Sequence, residues 1–191
     1  MTKQRIAVLG SFLSIFCFTI TAFGQAPTAP TAPRREFKND GMAQDCALSS
    51  DGHWLMVAEN RQVNVFHTRT ALAVRRFEAH KHYVTAVATN PRKRIALSAD
   101  RHGQIMMWNI DDLNLIMTYE TPKDSVNLLR FAANGETFAA TTQRENALYL
   151  FDILSVKPIL KSKKFTSKVS DIYVDFIKNS VTTARLERSI Q

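Results

Sequence analysis

Cysteine is scarce in this chain of 191 residues: only Cys17 and Cys46 are present. Cys17 lies in an apolar N-terminal run, so removal of that run leaves Cys46 alone and excludes an internal disulfide. Small exported domains often lean on disulfides; this one must rely on an apolar core or on contact between chains. Cys46 itself reads as a small buried hydrophobe on a strand. Also absent are a glycine-rich phosphate loop, a G-x-S-x-G elbow and an H-E-x-x-H helix, which leaves nucleotide, esterase and zinc-protease chemistry without a motif. Residues 40–191 show no long helical periodicity. Aromatic residues do not interleave with basic ones as single-strand stacking platforms require, so nucleic acid is not an expected partner. His80, His82 and His102 form the best metal candidate. Strand alternation would put His80 and His82 on one side, but no cysteine or clear carboxylate completes the set. No catalytic group, metal or other cofactor is therefore expected.

What is present is ordinary for one globular domain with a short appendage: 45% hydrophobic and 22% charged residues,. The formal charge is +8. Without Lys3 and Arg5 the chain keeps 23 of its 25 basic side chains against 17 acidic ones, or +6, which favours anionic partners. Residues 1–24 read as a signal peptide. Lys3 and Arg5 precede the 18 uncharged residues Ile6 to Phe23, and Ala22-Phe23-Gly24 suits cleavage before Gln25,. The alternative is an uncleaved membrane anchor over residues 6–23, at the short limit for a spanning helix. Residues 25–39 form a linker. QAPTAPTAP, with proline at every third position, is an extended spacer that cannot pack a core. The expected location is periplasmic or secreted, with membrane contact only if the leader is retained.

Three markers recur in register. Phe66-His67, Trp108-Asn109 and Phe151-Asp152 stand 42 and 43 residues apart, as do Val84, Val126 and Val169. Turn signals follow each opening strand: Ser50-Asp51-Gly52, Asn90-Pro91-Arg92, Asn134-Gly135 and Lys178-Asn179. Between the markers, Gln62 to Phe66 and Gln104 to Trp108 alternate polar and apolar with one methionine out of phase, and Ala147 to Phe151 is almost wholly apolar. Period two means pleated strands. Each unit holds about four short strands, the spacing of an all-β fold.

The units resemble the WD40 repeat, which runs from Gly-His through Val, a Ser-Pro-Asp-Gly-type turn and an Asp-Gly turn to Trp-Asp. The second unit is nearest, with Ala79-His80, Val84, Asn90-Pro91, Ser98, Asp100, Gly103, Ile105 and Trp108-Asn109. The resemblance covers about residues 42–191. It implies a β-propeller of about 3.5 to 4 four-stranded antiparallel blades, at about 40–80, 81–122, 123–166 and an incomplete 167–191, standing alone or as part of a larger ring. It also implies a buried set of His, Ser or Thr, Asp and Trp. Here His80, Ser98 and Trp108 match, His102 stands where the Asp is expected, and Asp100 substitutes only if the turn shifts. Phe66 and Phe151 replace Trp in the first and third units, whose blades are then held mainly by packing.

The fourth unit stops before its aromatic pair, after a third strand beginning at Arg188. An open arc exposes blade faces and strand edges. Three closures remain: Arg35–Lys38 supplies the missing outer strand, two copies of about 3.5 repeats form a ring, or the chain is a truncated piece. The ending in mid-strand favours the last.

Leading loops and the turns between second and third strands share one propeller rim. Here they carry Arg61, Lys81, His82, Arg101, Lys123, Arg144, Lys168 and, in the fourth unit, Arg185 and Arg188, offset by Glu59, Asp124, Glu145 and Glu187. With Tyr83 as aromatic anchor, the expected occupant of that rim is a protein or peptide partner of acidic character. The expected function is an exported, non-catalytic interaction scaffold in an envelope or extracellular assembly. The alternatives are a propeller enzyme, either a hydrolase or a cofactor-dependent dehydrogenase, and a truncated product without independent function.

Overall fold

The structure, a computed structural model, describes residues 5–7, 36–38, 41–121, 123–162, 164–166, 169–175 and 180–185. The strands run in chain order as β1 (Arg5–Ala7), β2 (Glu36–Lys38), β3 (Ala43–Leu48), β4 (Trp54–Glu59), β5 (Gln62–His67), β6 (Leu72–Phe77), β7 (Val84–Thr89), β8 (Ile95–Asp100), β9 (Gln104–Asn109), β10 (Leu115–Glu120), β11 (Val126–Phe131), β12 (Thr137–Thr142), β13 (Leu148–Asp152), β14 (Leu160–Lys161), β15 (Val169–Asp175) and β16 (Ser180–Arg185). Among the described residues there is no helix long and apolar enough to cross a membrane.

The strands form three antiparallel four-stranded meanders, β3-β4-β5-β6, β7-β8-β9-β10 and β11-β12-β13-β14, and two hairpins, β15-β16 and β1-β2. The inner strands β3, β7, β11 and β15 lie side by side in that order. This is the blade arrangement of a propeller, and the regular structure of the described residues is all-β. Each marker valine opens an inner strand, and each aromatic-polar pair ends a third strand.

Small polar residues set the turns. After the inner strands, Asp51 Oδ1 accepts the N–H of His53, Asn90 Oδ1 those of Arg92 and Lys93, and Asn134 Oδ1 that of Glu136. These local bonds replace ladder bonds and reverse the chain. Gly52 and Gly135 sit at φ 69° in two of the same turns, where a Cβ would strain the backbone. After the third strands, His67, Asn109 and Asp152 accept the N–H two residues on, from Arg69, Asp111 and Leu154. The polar half of each aromatic-polar pair is thus a turn cap.

Alternation divides each blade between two cores. On β8, Leu97 and Ala99 face the third blade with Tyr119, Leu129, Phe138 and Phe151. Ala96 faces the first blade with Met56, Val65, Phe77 and Trp108. A third cluster joins Ala139 and Leu148 to Val169, Ile172 and Val174. Burial of each large side chain contributes about 1.5–3 kcal/mol, so the interblade cores hold the arc.

Several expectations are corrected. Glu36–Lys38 pairs antiparallel with Arg5–Ala7 and does not complete a fourth blade. Phe37 is buried in the open face of the first blade, edge-on to Phe66 at 5.7 Å; an aromatic finds more contact there than at an exposed edge. Cys46 on β3 is only half-buried. The remainder of the leader and linker, the Lys178-Asn179 turn and the strand begun by Arg188 lie outside the described residues.

Candidate functional site

Backbone hydrogen bonds define two rims. On the upper one, leading loops meet the turns between second and third strands: Arg101 N–H donates to Tyr83 O, Val84 N–H to Asn60 O and Gln143 N–H to Ser125 O. On the lower one, the other turns meet: Ile110 N–H donates to Arg94 O, Thr68 N–H to His53 O and Ile153 N–H to Glu136 O.

Beneath the upper rim of the second blade lies a polar chain. Trp108 Nε1 donates to Ser98 Oγ at 2.9 Å, Ser98 Oγ meets His80 Nε2 at 2.6 Å, and His80 Nδ1 meets Asp100 Oδ2 at 3.3 Å. One tautomer satisfies all four groups: the Ser98 hydroxyl donates to Nε2, and Nδ1–H donates to Asp100. Burial would raise the Asp100 carboxyl, but the His80 bond and the N–H groups of His102 and Gln104 outweigh it and hold the group below its ordinary value,. Asp100, not His102, completes the set, because its other oxygen caps the tight turn in which Gly103 takes φ 86°.

That turn separates the three histidines. His80 is buried, while His82 and His102 are exposed and stack on each other, centroids 3.6 Å apart. Residues 78–83 form a loop, so the alternation expected of a strand does not apply there. Among the described residues, no group of three or more His, Cys, Asp and Glu is placed to hold a metal.

The basic side chains Arg61, Lys81, Arg101, Lys123 and Arg144 are exposed on the upper rim. The Arg101 guanidinium lies 5.0 Å from the half-exposed Tyr83 ring. Lys168 and Arg188 lie outside the described residues, as does the side chain of Arg185. The acidic residues expected to offset this charge are engaged elsewhere. Glu59 is buried and accepts from Asn64 at 2.6 Å. Asp124 is buried and accepts the N–H groups of Arg144 and Glu145. Glu145 accepts from Lys161 and Tyr149, bonds that hold its carboxyl below the ordinary value. Glu187 lies outside the described residues.

A cavity of about 690 Å³ opens at this rim between the inner strands of the second and third blades. Arg101, Arg144 and Asp124 line it, together with Gln44, Thr85 and Asn127. These last three were not anticipated. Each inner strand carries a bulge at the same place: register shifts fall between Ala43 and Asp45, Val84 and Ala86, Val126 and Leu128, and Val169 and Asp171. The residue passed over is Gln44, Thr85, Asn127 or Ser170, polar every time. A bulge re-aims its side chain, and those of Gln44, Thr85 and Asn127 line the mouth. The legible signal was the polar residue directly after each opening apolar one.

Deeper in, Asp45 Oδ2 accepts Val87 N–H at 2.9 Å across the first two blades, and Arg130 stands 3.5 Å from Asp171. Burial pushes the Asp45 carboxyl up, opposed in part by that N–H and by Arg130.

This geometry has a counterpart in known proteins. Residues 72–109 match the WD domain, G-beta repeat. The match begins on β6, the outer strand of the first blade, and ends with β9 of the second, so one sequence repeat is shared between two blades. The four-stranded meanders agree with this match, and the two together support a WD40-repeat family. The chain is similar to WD repeat-containing protein 75 of Xenopus laevis, 24% identical over 134 residues. The similarity covers 69% of this chain and only 16% of that protein.

Proposed function

We propose that this chain is a non-catalytic interaction scaffold whose upper rim receives a protein or peptide partner of acidic character. One observation carries the reading. Arg61, Lys81, Arg101, Lys123 and Arg144 form no ion pair with an acidic side chain among the described residues, whereas the described acids nearest them are buried or paired elsewhere. An evenly mixed, solvated surface would intersperse the two signs. Unpaired positive charge around a rigid mouth steers and orients an acidic partner, and Tyr83 beneath Arg101 adds an aromatic anchor of the kind that dominates interfaces.

Export belongs to the same proposal and rests on the leader sequence alone. A mature chain beginning at Gln25 supports it; a chain that retains residues 1–24 in the membrane fraction supports the anchor instead. The rim is tested by capture with the purified chain and its K81E/K123E variant, after both show the same thermal midpoint. The variant should lose the acidic proteins held by the unaltered chain. An unchanged set of captured proteins overturns the reading.

A further inference from the structure

We propose that the cavity at the mouth, between the second and third blades, is an acceptor for a single anionic side chain of the bound peptide, a carboxylate or a phosphoryl group. This deepens the rim reading and rests on it.

Two arginines bound the cavity, Arg101 on the turn of the second blade and Arg144 on that of the third. Other arginines are tied within the protein: Arg94 to Asp51 and Asp111, Arg130 to Asp171, Arg76 to Glu78 and Arg92 to Ala133 O. The guanidinium groups of Arg101 and Arg144 meet no acidic side chain among the described residues. Among the described residues, Asp124 is the only acid lining the cavity. Both its oxygens already accept backbone N–H groups, including that of Arg144 itself, so the carboxylate shapes the turn that carries Arg144 and leaves the guanidinium available.

The polar wall complements this charge. Asn127 Oδ1 accepts the Thr141 hydroxyl at 2.9 Å, which directs the Asn127 amide nitrogen, a pure donor, to the remaining space. Gln44, exposed on the neighbouring bulge, adds a second amide. A volume of about 690 Å³ admits a side chain with its flanking backbone. Guanidinium groups bind carboxylate and phosphoryl oxygens through paired N–H donors, a geometry that an ammonium group cannot reproduce. A neutral side chain would leave both arginines without an anionic partner. The anion thereby fixes the register of the peptide on the rim.

The test is fluorescence anisotropy of the full chain with labelled Gly/Ser peptides bearing one central phosphoserine, glutamate or asparagine. Either anionic peptide should bind at least about tenfold tighter than the asparagine one, a difference of about 1.4 kcal/mol. Preference for phosphoserine over glutamate identifies the phosphoryl group, and equal binding identifies any oxyanion. R101Q and R144Q should each remove most of the preference, and R101K/R144K should restore charge but only part of the affinity. K93Q, on an exposed lower turn, should change nothing. Equal binding of the asparagine peptide, or full anion preference in R101Q/R144Q, overturns the proposal. Its failure is separable from that of the rim reading: loss of captured proteins by K81E/K123E without any anion preference in the unaltered chain leaves the rim standing and removes the cavity.

Discussion

The second and third blades share a strand layout yet are centred differently. In the second, a chain of four polar groups runs from Trp108 through Ser98 and His80 to Asp100. In the third, aligning β12 with β8 puts Ala140 at the place of Ser98 and Thr142 at that of Asp100, and Phe151 replaces the indole. Aromatic rings take over: Phe151 stacks on Phe138 at 4.9 Å, and Tyr119 meets both edge-on. Packing does not act wholly alone, since Tyr119 donates to Ile153 O at 2.5 Å and Asp124 ties the rim turn. Burial pushes the Tyr119 phenol up to about 12, with Asp152 adding to it, so the hydroxyl stays a donor throughout the working pH range. One strand scaffold accepts either centre, because its register is set by turns and valines that both blades keep.

The largest effect tests the aromatic centre. Phe151→Ala opens a cavity against Phe138 and Tyr119, where every ring is fully buried or nearly so. It should cost about 3–5 kcal/mol, measured by urea denaturation. A loss below about 1.5 kcal/mol would show that the third blade is held by something other than its rings. Ser98→Ala in the second blade comes next. It removes no large volume but strands both the Trp108 indole N–H and His80 Nε2, each worth about 1–3 kcal/mol when buried without a partner. The expected total is about 2–3 kcal/mol, and indifference would mean that the polar chain is incidental to stability.

Asp100 gives the comparison a pH dependence. Its folded-state value is depressed, so its stabilising contribution is complete above the unfolded value of about 3.9 and is lost as pH falls through the folded one. Asp100→Asn keeps an acceptor for the turn but loses the charge. It should cost about 1–2 kcal/mol at pH 7 and progressively less below about pH 4. Equal costs at both pH values would locate the acid sensitivity elsewhere, for example at Glu145 of the third blade, whose carboxyl is also held below its ordinary value.

The sequence made the blades legible because their boundaries are written in local chemistry: valines open inner strands, aromatics close third strands, and Asp51, Asn90 and Asn134 cap the turns between. The rim was legible for the same reason, since leading loops and turns are short and their faces follow from topology. Side-chain direction in loops was not. His80 and His82 part company because no strand alternation constrains residues 78–83. Nor could composition show that Glu59, Asp124 and Glu145 are occupied; that depends on Asn64, on a backbone turn and on Lys161, contacts made only after folding. The site of Phe37 was hidden because three residues between a proline-rich spacer and the first blade give no periodicity to read.

The smallest effect is also the sharpest, because it separates the hydrogen bond from the volume around it. Trp108→Phe converts the second blade toward the third; it removes the indole donor and some contact with Phe77, which stacks on Trp108 at 4.6 Å. Combined with Ser98→Ala, it yields a blade whose central pair matches Phe151 and Ala140. In the single Ser98 variant the indole N–H is left unpaired, a penalty that the double variant no longer carries. The two losses should therefore add to more than the double variant's loss, with a coupling of about 1 kcal/mol. His80 keeps its bond to Asp100 in all three variants, so the coupling reports on the Trp108 to Ser98 link alone. Strict additivity would mean that this link contributes nothing, and that the second blade is stabilised like the third, by the packing of its aromatic ring.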